Sequence, residues 1–428
     1  MKPPQRIRAN APGSALAGFI RVVLLSAVCG TSLVAQLATT CSNPGQPILN
    51  VPATYATIQG AIDSVPAGTT IKICPGTYPE QLLITKKLTL EGIGTATEDA
   101  VIILPPAGGV VVNASDLRGQ IAAQILVQGT TGPVTISNLT VDGTGNKYNS
   151  DDLRGILYQD ASGVVDHVAV RNEVPNDTPT GIQSGQGIFV ETNTGTAAAL
   201  TVENSSVHNY NKNGIVARYA GATLTAIGNY VQGAGAIDYI AQNGIEIAFG
   251  GATGTIKNNT VIDNFYTPTT DSAADILLYD AKESGSILIS GNILGNSNVA
   301  ISLFTDTPGT YGDGVSVTGN KILGTSTFDG IDVCTNNNTV TSNTIFNSAE
   351  SGVHLDANCG GTGNGNTVKG NTLLESACAG ILADPGTTSN GIGPNAQYTL
   401  PFPVTNSTAM CTLPGRPAHA KTHNKFKP

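Results

Sequence analysis

The chain has no tryptophan, two methionines and five histidines in 428 residues, with only 5% aromatic and 12% charged side chains. So little charge excludes a helical bundle, whose exposed faces are held by Glu, Lys and Arg. Basic residues number 21 against 30 acidic ones, which excludes a surface built for nucleic acid or an anionic membrane. No CxxC pair and no Cys/His metal spacing occurs, which excludes a zinc module. Past the N-terminal stretch no run of about 18 apolar residues appears, so no membrane span is expected. What is abundant is glycine, 51 residues set among Val, Ile, Thr and Asn. That mixture suits short strands joined by tight turns.

The N-terminus reads as an export signal. Lys2, Arg6 and Arg8 precede the apolar core VVLLSAVCGTSLVA (22–35), and small residues near Ala35 and Ala38 offer a cleavage site. Residues 1–38 are therefore set apart from the fold, and the mature protein is expected to be secreted, periplasmic or at the cell surface. Cleavage at Ala35 leaves 17 basic against 30 acidic residues, a net charge of −13. Such a surface attracts an acidic polysaccharide only through a local cationic patch or Ca²⁺. No Ca²⁺ motif is present, so no metal ligand is assigned and no cofactor is expected. Six cysteines remain, Cys41, Cys74, Cys334, Cys359, Cys378 and Cys411, an even number that favours disulfides in an exported chain.

Self-similarity dominates the rest. A motif recurs as GILYQD (155), GIFVET (187), GIVARY (214), GIEIAF (244), DILLYD (275), AISLFT (300), GIDVCT (330), GVHLDA (352) and GILADP (380). Its second position is Ile156, Ile188, Ile215, Ile245, Ile276, Ile301, Ile331, Val353 and Ile381, an aliphatic stripe fit to stack as a core. A second motif runs out of phase with it: SNLTV (137), ENSSV (203), GNYV (228), NNTV (258), GNIL (291), GNKIL (319), SNTIF (342) and GNTLL (370). Two strand motifs per irregular period describe a solenoid of about ten coils, with the repeats running over residues 96–398.

The asparagines of the second motif, 138, 204, 229, 259, 292, 320, 343 and 371, are expected to stack as a side-chain amide ladder at a tight bend. Asn138, Asn204 and Asn258 also begin N-x-S/T sequons. Ahead of the coils, Ile58, Ala61, Ile62 and Val65 have the spacing of a short amphipathic helix that covers the open end, within a cap and first coil at 39–95. Residues 399–428 lose the pattern and are expected to be a largely disordered tail. Stacked coils bring Cys334 and Cys359 into bridging range. Cys41–Cys74 and Cys378–Cys411 are expected to tie the ends to neighbouring coils.

TIQGAIDSVPAGTTIKI followed by CPGTYPEQLLITKKLTLEGIG (74–94) resembles the opening of pectin methylesterases, and the whole pattern resembles the pectin-lyase-like superfamily. That resemblance implies an all-β, single-stranded, right-handed parallel β-helix with a short N-terminal capping helix. Members cleave, de-esterify, epimerise or bind polysaccharides, so the fold does not settle function. The esterase constellation is not recognisable. Gln159, Asp160 and Glu246 give only loose echoes, and Asp160 and Glu246 stand about three coils apart, roughly 14 Å at ~4.8 Å per coil. Of the polygalacturonase segments only Asp151-Asp152 matches a piece.

Motif positions 3 and 5 should point outward and form an exposed face. One cluster there is Glu191, Arg218 and Glu246 with Tyr279, a candidate sugar-binding strip in which Arg218 pairs a carboxylate and Tyr279 stacks on a ring. Asp332, His354 and Asp356 form the other, a candidate acid/base group in which Asp332 orients the imidazole. The expected function is binding or processing of an extracellular polysaccharide along this face. The alternatives are a lyase, glycoside hydrolase or pectinesterase-like enzyme with a divergent site, and a non-catalytic structural surface module. A monomer is expected.

Overall fold

The structure is a computed structural model that describes residues 48–397, apart from 51–52, 95–97, 150–151, 269–270, 282–286 and 308–309. The expected export signal, the expected tail, Cys41 and Cys411 lie outside the described residues.

The aliphatic stripe folds as the alternation dictates. It lies on a sheet of eleven parallel strands: β1 (Leu82–Ile84), β2 (Gly119–Gln128), β3 (Leu153–Gln159), β4 (Gln186–Glu191), β5 (Asn213–Arg218), β6 (Asn243–Ala248), β7 (Ala274–Tyr279), β8 (Val299–Phe304), β9 (Ile331–Val333), β10 (Ser351–Leu355) and β11 (Ala379–Ala383). Ile156, Ile188, Ile215, Ile245, Ile276, Ile301, Ile331, Val353 and Ile381 are successive cross-strand partners, each 0% exposed. The glycine that opens the motif is required by this stacking. At Gly214 a Cβ would come within 2.5 Å of Val231 and 2.6 Å of the Gly244 carbonyl oxygen.

From β4 on, each coil has three strands where the sequence suggested two. After β5, Ala222–Ile227 and Tyr230–Ile237 belong to separate parallel stacks, pairing with Thr253–Lys257 and Thr260–Tyr266 of the next coil. The missed strand precedes the ladder asparagine and is parted from the following one by a two-residue bend. In the earlier coils the two legs run as single strands, Val134–Asp142 and Gly163–Arg171, folded at Asn138 and His167, whose φ angles are 56° and 53°.

That bend corrects the ladder's start. Asn229, Asn259, Asn292, Asn320, Asn343, Asn371 and Asn395 stack in one column; each Oδ1 accepts from the backbone N–H and side-chain amide of the asparagine one coil earlier at 2.8–3.0 Å. Asn138 and Asn204 are not in the column. They are exposed and hold the left-handed bend position that Gly228 and Asn258 take later, while Ser205 stands at the head of the column. A second ladder stacks at another corner: Asn366 Oδ1 accepts from the Asn338 N–H and side-chain amide, and Asn390 Oδ1 accepts from the Asn366 N–H.

The capping helix, α1 (Ile58–Ser64), starts at Thr57, whose side chain accepts from the Gly60 N–H, and it buries Ile58, Ala61 and Ile62. Cys334 and Cys359 are bonded as the coil register required. Cys74 and Cys378 are each in a disulfide as well. The chain is a right-handed parallel β-helix with a capped end.

Candidate functional site

The outward side of β4–β10 carries Glu191, Arg218, Glu246, Tyr279, Asp332 and His354, with Asp356 just past β10, but it is not a solvent-exposed strip. Glu191, Arg218 and Glu246 are 0% exposed and Tyr279 is 6% exposed. At one end a hairpin formed by Ala114–Asp116 and the start of β2 lies over β3. Its Ser115 carbonyl accepts from Gln159 Nε2 at 2.9 Å, and Asp116 meets Arg154 at 3.2 Å and the Tyr219 hydroxyl at 3.4 Å. Toward the other end, Gly360 and Gly361 pack on the carbonyls of Thr305 and Cys334. Alternation correctly gave the direction of these side chains, but a distant segment supplies the cover.

The first cluster is a buried network of ions and rings. Arg154, which stands just before the motif, reaches across β4 to Glu191 at 2.9 Å, and its guanidinium lies 3.8 Å from the Phe189 ring centroid. Arg218 approaches Glu246 at 3.6 Å and lies 5.0 and 5.1 Å from the rings of Phe189 and Phe249. Burial pushes the Glu191 carboxyl up, and Arg154 opposes it. Asp116 is held below the usual range: burial works against this, but Arg154 and Arg218 prevail. Lys212, missed in the sequence, is buried and pushed down to about 8 by desolvation, with Glu246 opposing. Tyr279 does not present a free ring. It packs between Phe249 and Phe304 at 4.9 and 5.0 Å, and its hydroxyl donates to Asp306. The expected stacking role of Tyr279 is therefore withdrawn, because its neighbours occupy the ring faces a sugar would need.

The second cluster is real but differently wired. Asp332 and His354 are cross-strand partners on β9 and β10 as expected. The imidazole nevertheless bonds Asp329 through Nδ1 and Asp384 through Nε2, each at 3.1 Å. Burial disfavours its charge, yet these two carboxylates raise its pKa well above the ordinary imidazole value. The two carboxylates favour the charged imidazole, and both ring nitrogens meet Asp329 and Asp384 in place of the expected orienting carboxylate, Asp332. Asp332 itself is pushed well up, first by burial and then by Asp356. Burial would also raise Asp384, but hydrogen bonds and charge from His354, and a hydrogen bond from Asp356, hold it below the usual carboxylate range. Asn358 adds its side-chain amide to Asp384.

Asp329 was missed because the motif was read from Gly330, one residue later, and period-2 alternation does not place it on the side of Asp332. Asp384 stood in the position-5 column but lies one coil beyond the residues chosen. Ligand atoms of Asp329, Asp332 and His354 lie within 4.8 Å of one another, as do those of His354, Asp356 and Asp384. These residue types could hold a divalent cation, though each imidazole nitrogen already meets a carboxylate and the two neighbouring cysteines are bonded to each other.

No protein-family model matches the chain, and no curated protein matches it either. Solved structures do. The lacto-N-biosidase of Eubacterium ramulus is 13% identical with a TM-score of 0.46, over 76% of this chain and 60% of that one. The mannuronan C-5 epimerase AlgE4 A-module of Azotobacter vinelandii is 14% identical with a TM-score of 0.46, over 80% and 92%. The Dettilon tailspike protein is 13% identical with a TM-score of 0.48, over 79% and 63%. The chain thus spans less than two thirds of the lacto-N-biosidase. Identities and scores are low, so the class rests on the strand topology alone: a right-handed parallel β-helix.

Proposed function

We propose that this β-helix is an exported carbohydrate-processing protein that hydrolyses a glycosidic bond at the aspartate cluster of β9–β11. The observation that supports this is the opposite displacement of two carboxyls on either side of His354, with Asp332 pushed toward its protonated form and Asp384 toward its ionised form. Asp332 would donate its proton to the departing glycosidic oxygen. Asp384, ionised beside His354 and accepting a hydrogen bond from Asp356, would take the proton of the attacking water. One glycosidic bond and one water give two sugar fragments, and the proton balance closes. His354 is then a positioning residue that keeps Asp384 charged. The Cys334–Cys359 disulfide supports an oxidising, extracytoplasmic location. Among the described residues no helix is long and apolar enough to cross a membrane.

Turnover on a panel of pectic, alginate and neutral glycans tests this. Asp332→Asn and Asp384→Asn should each lose about 10²–10⁴-fold in kcat while melting near the wild type. The rate should fall at high pH as Asp332 ionises, and at low pH as Asp384 is protonated. Unchanged turnover in both variants would remove the assignment. The near-complete burial of the outward face favours a second reading, a non-catalytic structural module. In that case no glycan would turn over, and the same substitutions would change only stability.

A further inference from the structure

The first cluster holds an unusual concentration of buried polar atoms with nothing to bond. Gln186 is 0% exposed, and neither its Oε1 nor its Nε2 has a hydrogen-bond partner. Asn213 Nδ2 and Glu191 Oε2 are in the same condition, and Glu246 Oε1 has no hydrogen bond beyond the Arg218 ion pair at 3.6 Å. Register brings them together: Arg154, Gln186, Asn213 and Asn243 are successive cross-strand partners on β3–β6. Arg154 spans from that column to Glu191 at 2.9 Å, and Asn243 Nδ2 donates to Glu246 Oε2 at 3.1 Å. Leaving one such group unsatisfied is costly, and several in one place mark a site that something else completes.

We infer that this set is a recognition subsite for a neutral, hydroxyl-rich sugar, in preference to a uronate. The inference rests on the carbohydrate reading above. A sugar hydroxyl both donates and accepts, so it can satisfy the acceptor oxygens of Glu191 and Glu246 together with the Gln186 amide and Asn213 Nδ2. A uronate carboxylate only accepts, and it would face Glu191, Glu246, Asp116 and Asp152 across the same space. The nearby cations already have partners: Arg154 meets Asp116, Asp152 and Glu191, Arg218 meets Glu246, Arg118 lies in the field of Asp116 and Asp152, and Lys212 donates to the Ala241 carbonyl. Because the set is enclosed, the ligand enters when the Ala114–Asp116 hairpin lifts from Arg154 and Gln159.

Isothermal titration of the full mature chain with neutral gluco- and xylo-oligosaccharides, and with oligogalacturonate, tests the inference. Neutral oligosaccharides should bind at least tenfold more tightly than the uronate at low ionic strength. Gln186→Leu should weaken neutral binding at least tenfold while melting no lower than the wild type, because it removes two unsatisfied buried groups. Glu246→Gln, which keeps the shape and reverses the hydrogen-bond sense of one atom, should weaken it as well. Equal or tighter binding of the uronate would overturn the inference. So would a Gln186→Leu protein that melts lower and binds unchanged, the result expected if water completes the site. These outcomes are separable from the hydrolase assignment. A protein that turns over only uronates would retain that assignment and lose this one.

Discussion

Replacing Asn292 by alanine isolates what the amide ladder contributes. Its Nδ2 donates to the Ile256 carbonyl at 3.0 Å and to Asn320 Oδ1 at 2.8 Å. Its Oδ1 accepts from the Asn259 backbone N–H at 2.9 Å and from Asn259 Nδ2 at 3.0 Å. Two of the four partners keep another bond, since Asn259 Nδ2 also donates to Ala226 O and Asn320 Oδ1 also accepts from the Asn292 N–H. The Asn259 N–H and the Ile256 carbonyl lose theirs, deep in the wall of the helix. At about 1–3 kcal/mol for each buried orphan, Asn292→Ala should cost about 2–6 kcal/mol. The control is Asn258→Gly, one residue from the column, exposed, with a φ of 55° that glycine adopts freely. That change should stay within about 0.5 kcal/mol of the wild type. Urea unfolding followed by circular dichroism reads both, provided the slope with denaturant is shared. Equal stability of Asn292→Ala and the wild type, or equal losses in the two variants, would refute the column as drawn.

Two further outcomes follow from the core and from its buried acids. Ile245→Asp places an unpaired carboxylate in a stripe that is 0% exposed, and it should cost more than about 4 kcal/mol. A melting temperature near the wild-type value would show that Ile245 does not face inward. Glu173 is buried with both carboxylate oxygens unpartnered, and burial, then Asp142 and Asp177, raise its pKa well above the ordinary value. The folded state therefore binds its proton more tightly than the unfolded state does. Its contribution to stability is full below the unfolded pKa near 4.5 and is lost as pH rises toward the folded value. Glu173→Gln should flatten that decline between pH 5 and 9, and identical pH–melting curves for variant and wild type would refute the assignment.

Much of the fold could be derived from local chemistry. The recurrence of Ile156 through Ile381 at one motif position fixed which side faces inward, because strand alternation leaves no other way to bury them together. Ile58, Ala61 and Ile62 gave the cap, and the coil register gave Cys334–Cys359. The ladder was foreseen from Asn229 onward, but Asn138 and Asn204 were placed one residue off, since only backbone φ separates the bend residue from the column residue. What the tertiary structure alone decided is what covers the outward side and which atoms meet there. Alternation says that Arg218 points away from the core; it cannot say that Glu246 and two aromatic rings will enclose it. Spacing put Asp332 beside His354, but the imidazole bonds Asp329 and Asp384, because hydrogen bonding follows side-chain reach across strands and not backbone register. The protonation of the aspartates depends in turn on that burial and on those partners, so the candidate chemistry became visible only once the coils were stacked.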